Sequence, residues 1–444
     1  MKRFIIAQSG KEFYTSNSGL ALVGLCLNEF CSLSEKARDA FPVSTGSHGI
    51  GMDDILRSSV GLLTLGQSDY EAVAGRRQDD FFKDALGIKI VPSRETLRQR
   101  LDAAASTLRP IVDRCSVELL KRAEISITAL DTGHIPLDCD VFAMDNSKTK
   151  KEGVSRIYNG EEGYAPIGAW LGREGWSLEL ELRKGSQHSQ REFIPFLERA
   201  LEKARSLTSR KLLARMDSAH DAIETRVTLC GRKMVSYIVK WNPRGEDQEK
   251  WAKWIFEKGS ITTPRPGKRV GLLSVHIQQT HEGKVYRFRR VMRAIERTID
   301  CEGQQLLVPE IELDGWWTSL DLPAKDVIRL YEDHGTSEQF HSEIKADLDL
   351  ERLPSGKFAT NALILTLGGL AYNILRVIGQ LGLVDGKSPV RHSAKRRRIR
   401  TVIQEFMCLA ARVVRSGRRL KLLFSRHCPA FDAFRDVHNR LAYG

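Results

Sequence analysis

At 444 residues the chain is long enough for two or three domains and a large buried core. Its 41% hydrophobic and 28% charged residues exclude a disordered or fibrous protein. Lys and Arg number 69 against 56 Asp and Glu, a formal net charge of +13. Such an excess favours a polyanionic partner, because neutralising phosphates releases condensed counterions.

The opening M-K-R-F-I-I-A-Q-S-G has too short an apolar run for a signal peptide. The eight cysteines (26, 31, 115, 139, 230, 301, 408 and 428) contain no C-x-x-C pair. That argues against a zinc ribbon or thioredoxin-like site and suits reduced thiols in the cytoplasm. Residues 1–120 read as a helical, DNA-binding region of short helices separated by Gly and Pro. Within it V-P-S-R-E-T-L-R-Q-R-L-D starts a helix with Ser93 as N-cap and Leu97 and Leu101 four apart. Arg94, Arg98 and Arg100 on the opposite positions face either a DNA groove or solvent.

Strands follow from about residue 126: I-S-I-T-A-L, H-I-P-L-D-C-D-V-F, then Tyr164–Leu171 and Trp176–Leu182 as a hairpin across G-R-E-G. A helix at Glu192–Ser206, a strand at Lys211–Met216, a helix at Ala222–Leu229 and a strand at Met234–Val239 complete the first part of a core, residues 121–245. This order predicts an α/β fold, a mixed sheet covered by helices. Residues 246–312 break the rhythm with T-P-R-P-G-K and the alternating runs S-V-H-I-Q-Q-T and V-Y-R-F-R-R-V, which read as a β-rich insertion. The core resumes over 313–385, beginning at D-G-W-W-T-S-L. Trp316 and Trp317 there are candidates to stack on an extruded base, although the strand reading places at least one in the core. The most apolar stretch, Ala362–Leu383, is interrupted by Asn373, Arg376 and Gln380, so it reads as a buried core helix rather than a membrane span.

Residues 386–444 read as a basic, helical, DNA-binding region. Between 391 and 426 there are twelve Lys or Arg against the single acid Glu405. Lys395, Arg396, Arg397 and Arg398 form a run, and Arg412, Arg415, Arg419 and Arg426 recur at helical spacing, as expected of a helix tracking a phosphate backbone.

The chemistry concentrates in L-Y-E-D-H-G-T-S-E-Q-F-H-S-E-I-K. On one α-helix Tyr331, His334, Glu338 and Lys345 fall within an arc of about 60°. A carboxylate flanked by a phenol, an imidazole and an ammonium suits phosphate and metal binding better than it suits a core stripe. Two more acids, Asp140 in P-L-D-C-D-V-F and Asp217 in L-L-A-R-M-D-S-A-H-D, stand where strands end. Asp138 competes with Asp140, because residues two apart in a strand share a face. Asp217 is equally a candidate to cap the helix after it. Carboxylates suit Mg²⁺, and two such ions about 4 Å apart activate a water and stabilise the leaving oxygen of an in-line displacement. His188 and Arg215 are candidates to line the site, a structural role being the competing reading.

The spacing Tyr331, His334, Glu338, Lys345 resembles the Y-R-E-K signature of D-D-E transposases of bacterial insertion sequences, with His334 in place of Arg. The stretches D-N-S-K-T-K-K-E-G-V-S-R-I-Y-N-G-E-E-G-Y-A-P, E-L-R-K-G-S-Q-H-S-Q and D-L-D-L-E-R-L-P-S-G-K-F-A-T-N extend the resemblance over about residues 55–430. It implies an RNase H-like core with a β-rich insertion between the second Asp and the Glu. It also implies catalytic, metal-holding carboxylates at Asp140, Asp217 and Glu338, and Tyr331 and Lys345 on the phosphate beside the cut. Two Mg²⁺ ions, with Mn²⁺ as substitute, double-stranded DNA as partner and a homodimer on paired ends are implied too, without a membrane and in the bacterial nucleoid. The expected activity is cut-and-paste transposition, with a DNA hairpin intermediate by analogy. Two rivals share these features: a nuclease of the same fold, and a decayed transposase that binds DNA without cutting. His is shorter than Arg and titrates near neutrality, so His334 is the one feature favouring the latter.

Overall fold

The computed structural model describes residues 3–42, 49–384, 386–417 and 419–443. The chain opens with a short strand, β1 (Phe13–Thr15), and four short helices: α1 (Leu20–Glu29), α2 (Leu33–Ala40), α3 (Met52–Leu63) and α4 (Asp80–Leu86). Helix α5 (Arg94–Arg122) is far longer than the short helices expected, at 29 residues. Ser93 caps it by accepting from Thr96 N at 3.1 Å, as its sequence predicts. Its buried stripe, Leu97, Leu101, Ala104, Ala105, Leu108, Val112, Cys115 and Leu119, carries the helical period through Pro110.

The centre is built from β2 (Ile135–Val141), β3 (Met144–Asp145), β4 (Ser155–Arg156), β5 (Glu162–Tyr164), β6 (Ile167–Leu171), β7 (Trp176–Glu181), α6 (Phe193–Leu207), β8 (Leu212–Met216), α7 (Ile223–Cys230) and β9 (Val235–Lys240). I-S-I-T-A-L is not a strand. Its backbone is turned aside to Glu174, whose carboxylate accepts from Thr128 N at 3.1 Å. Next come α8 (Gln248–Lys258), β10 (Ser260–Arg265), β11 (Lys268–His281), β12 (Lys284–Ile299) and β13 (Gln305–Thr318). The last part holds α9 (Ala324–Glu332), α10 (Ser337–Ser342), α11 (Phe358–Gly382), α12 (Ile399–Val402), β14 (Ala411–Ser416), β15 (Arg419–Phe424) and α13 (Phe431–Tyr443).

One nine-stranded sheet runs β10-β11-β12-β13-β9-β8-β2-β6-β7. β2, β8 and β9 are parallel neighbours, and the other pairs are antiparallel. This is a mixed α/β fold. The β-rich segment is not an appendage: β13 crosses the expected boundary at 312 and pairs with β9 through Trp316, Trp317 and Thr318, so the core sheet simply continues outward. Strand β8 is buried throughout, as a central parallel strand covered on both faces must be.

Helix α11 packs on α5, α3 and β7. It is long and apolar enough to cross a membrane by composition, but its most apolar window is wholly buried inside the molecule. The N-terminal helices, the sheet and α13 share one hydrophobic core that extends from Leu20 to Leu441.

The basic tail departs from expectation. Arg412, Arg415 and Arg419 lie on a hairpin, β14–β15, not on a helix, and β1 adds to it through Phe13↔Val413. Helical spacing of arginines is also strand-compatible, and the β-branched Val413–Val414 with Gly417 at φ +59 decides for a turn between strands. Arg418 lies outside the described residues.

Candidate active site

Strand β2 carries Asp138 and Asp140 on one face, and the two have opposite surroundings. Asp138 is buried and grips Arg215 of β8, its cross-strand neighbour, through Nε–Oδ1 at 2.6 Å and Nη2–Oδ2 at 2.8 Å. Arg215 also donates to Leu330 O at 2.7 Å, which ties the sheet to α9. Burial pushes the Asp138 carboxyl up, but Arg215 and then His334 outweigh it and hold it down at about 2. Asp138 is therefore the ionic anchor of the sheet.

Asp140 has no such cation among the described residues. Burial first, and then the neighbouring Asp217 carboxylate, push it up to about 7. Asp217 follows β8 and caps a short 3-10 turn, accepting from Ala219 N at 3.1 Å. Its carboxyl is raised as well, mainly by burial. These two acids and Glu338 line one open cavity of about 1040 Å³, together with Tyr331, His334, His341, Lys345, Tyr158 and Asn242 among others.

The segment bearing Glu338 is not one α-helix. Helix α9 ends at Glu332, a 3-10 turn covers Asp333–Thr336, α10 covers Ser337–Ser342, and a π-helical turn covers Glu343–Asp347. Asp333, His334 and Gly335 are poor helix formers, so the chain changes its pitch there. The expected row is broken, yet Tyr331, His334, Glu338 and Lys345 still border the same cavity.

Each of these side chains has a definite setting. His334 is buried, with Nδ1 3.0 Å from Asp138 Oδ1. The Tyr331 hydroxyl is raised by burial and by Asp217 and Asp140. Lys345 sits 3.5 Å from Glu351. Two histidines that sequence reasoning passed over border the aspartates. His341 stacks on Phe142 at 4.7 Å with Nε2 3.8 Å from Asp140 Oδ2. His220 stacks on Phe193 at 3.9 Å with Nε2 4.0 Å from Asp217 Oδ1. Burial brings both imidazoles down to about 3, so both are neutral at ordinary pH. The signal was present as D-S-A-H and as the second His of the Tyr331–Lys345 stretch, but nothing local marks a histidine as facing an acid.

The donors suit a hard divalent cation: oxygen ligands, with two carboxylates close enough to repel. Such repulsion is what a cation between them relieves. Among the described residues no group of three or more His, Cys, Asp or Glu is drawn close enough to hold a metal ion. The residue chemistry therefore fits a metal while the set stands open, with Glu338 exposed at the cavity's lining.

The chain matches the family described as transposase DDE domain group 1 over residues 2–443. It belongs to that family of transposases. No curated protein matches it. Among solved structures it is similar to a piggyBac transposase in a synaptic complex with hairpin DNA, seen by cryo-electron microscopy. The TM-score is 0.40 at 11% identity, over 82% of this chain and 75% of that one. A likeness that faint adds no weight to any residue assignment.

Several other expected site residues of the transposase lie elsewhere. His188 is exposed and accepts from Gln190 N at 3.2 Å; its neighbour Ser189, not His188, borders the cavity. Trp316 and Trp317 are both buried, under Arg293 and Arg226 respectively, so neither can stack on a base. Arg94 pairs with Glu71 and Glu95, and Arg98 lies 3.5 Å from Asp102. Arg412 pairs with Glu12 and Arg415 with Asp80 and Asp84; all four arginines remain exposed enough to exchange partners. Arg419 and Lys395 are exposed. Arg396, Arg397 and Arg398, in contrast, are engaged by the protein itself. Arg397 is buried and donates to the carbonyls of Leu383, Val390 and His392.

Proposed function

We propose that this transposase cuts DNA at the ends of a bacterial insertion sequence and joins them to target DNA, with Asp140, Asp217 and Glu338 as its catalytic carboxylates. The observation that carries the reading is that these three acids border one open cavity with Tyr331 and Lys345, in a chain of the DDE family. The mixed sheet with parallel β2, β8 and β9 supports an RNase H-like core.

Asp140, Asp217 and Glu338 would hold two Mg²⁺ ions, or Mn²⁺ in their place. Bound there, the ions supply activation of the attacking water and stabilisation of the leaving oxygen. The chain's own residues do the rest. Lys345 offers an ammonium to the phosphate beside the cut, and the protonated Tyr331 hydroxyl donates to it. Neutral His341 and His220 back the two aspartates without adding charge. The freed 3′-hydroxyl then attacks target DNA in a second displacement at the same carboxylates. Cutting and joining two ends together calls for a homodimer on double-stranded DNA, acting at the nucleoid.

One observation favours a second reading, a transposase that binds without cutting. His334 stands in place of the signature's Arg and, although it borders the cavity, is largely buried with Nδ1 3.0 Å from Asp138 Oδ1. A labelled duplex of the element's end, incubated with Mg²⁺ or EDTA, separates the two. Metal-dependent cuts and joined products that vanish in Asp217→Asn support catalysis. Tight binding with no cut under any metal supports the second reading.

A further inference from the structure

A six-residue α-helix and a five-residue π-turn have little stability of their own, since helix nucleation costs more than so few hydrogen bonds return. Something else must hold the segment that presents Glu338 to the cavity. Its lower side rests on aromatics: Phe340 is buried and stacks on Trp170 at 5.8 Å. Its other side is gripped by residues 396–400, in the run that by composition reads as a DNA-binding patch.

Arg396 donates to Gln339 Oε1 at 2.6 Å and to Arg173 O at 3.0 Å, and its guanidinium covers the Phe340 ring at 4.4 Å. Gln339 is the residue next to Glu338. Arg398 reaches both carboxylate oxygens of Asp347, at 2.9 and 3.0 Å, and Ser342 Oγ at 2.9 Å. Thus it bridges the end of α10 and the end of the π-turn. The backbone N–H groups of Ile399 and Arg400 add bonds to Glu343 at 3.2 Å and Asp347 at 3.1 Å. Glu343 is fully buried and is met from below by Arg376 and Tyr372 of α11. A planar, bidentate guanidinium fixes direction as well as distance.

We propose that Arg396 and Arg398 are positioning residues, a clamp that orients α10 and the π-turn so that Glu338 faces the cavity of Asp140 and Asp217. This rests on the assignment of Glu338 as a catalytic acid made above. The clamp couples the basic tail to the catalytic segment through guanidiniums that are bonded to the protein itself.

The test uses the full-length protein with Arg396→Gln, Arg398→Gln and Arg398→Lys. In metal-free protein, amide hydrogen exchange over residues 333–347 is expected to speed up about tenfold or more in the Gln variants, with α11 and β2 still protected. Affinity for a labelled end duplex and its salt slope are expected to stay unchanged, while the rate of end cleavage falls roughly 10- to 100-fold. Arg398→Lys keeps the charge without the fork, so it recovers only part of that loss.

Unchanged exchange over 333–347 would overturn the clamp. So would weaker DNA binding with a shallower salt slope that Lys fully restores, because that is the signature of a phosphate contact. If the wild-type chain cuts no DNA, the catalytic reading fails, and the exchange measurement still decides whether the clamp exists.

Discussion

Two aspartates two residues apart on β2 have been given opposite electrostatic settings. The buried Arg215 turns Asp138 into half of an ion pair, whereas Asp140 faces another carboxylate. Asp138→Asn should lower stability by about 3–5 kcal/mol, because Arg215 is left buried without its counter-charge. The pH dependence follows from the sign of the shift. With its carboxyl held at about 2, below the ordinary 3.8, Asp138 contributes stability that is fully present above about pH 4 and is lost as pH falls towards 2. Urea unfolding at pH 6 and pH 3 checks this: the gap between wild type and Asp138→Asn should narrow at the lower pH. Glu338→Gln removes the charge of the proposed ligand from an exposed position with no hydrogen-bond or ion-pair partner among the described residues, so folding and DNA binding should be unchanged while end cleavage disappears. Retained cleavage in a gel assay would remove Glu338 from the catalytic set.

Among the elements, the turn joining β6 to β7 lies against α10, the short helix that bears Glu338. Gly175 there has φ +73, and a Cβ on it would stand 2.1 Å from the Phe340 ring. Gly175→Ala therefore combines left-handed strain with overpacking and should cost about 2–4 kcal/mol. Because the displaced ring carries α10, end cleavage at a permissive temperature should fall along with the melting temperature. The order β2, β6, β7, α6, β8, α7, β9 was legible locally, since period-2 runs and an apolar helical stripe are written in consecutive residues, whereas the two-residue strands β3 and β4 are too short to carry a period. The elements misread are those set by distant partners. I-S-I-T-A-L has strand composition but no strand beside it, so Glu174 takes its backbone. A-R-V-V-R-S pairs along its whole length with β15, and β1, some 400 residues earlier in the chain, adds a third strand that its neighbours could not announce. The Glu338 row survived its break into 3-10, α and π turns because the cavity collects side chains by position in space.

Taken whole, the molecule is a basic protein built around a sheet that runs unbroken from core to insertion. Removing everything from Arg391 onward would strip Arg376 of its acceptor at Arg397 O, β1 of its partner β14, and α11 of its contacts with α12 and α13. That truncation should give an unfolded or aggregated product by circular dichroism, rather than a folded protein with weakened DNA affinity. Substituting the exposed Lys395, Arg412, Arg415 and Arg419 together should leave the fold intact and weaken duplex binding, with a shallower dependence of log affinity on log salt.

From sequence alone came the net charge, the acids at strand ends, the spacing of Tyr331, His334, Glu338 and Lys345, and the apolar stretch that forms α11. These are properties of residue type and of local period, which consecutive residues carry. Only the tertiary structure decided which of two aspartates meets a cation, that Trp316 and Trp317 are both buried, and which arginines of the run at 395–398 turn inward. Those outcomes depend on what lies opposite each side chain. A guanidinium reads the same in a sequence whether it faces a phosphate or Asp347, and packing across the fold makes the choice.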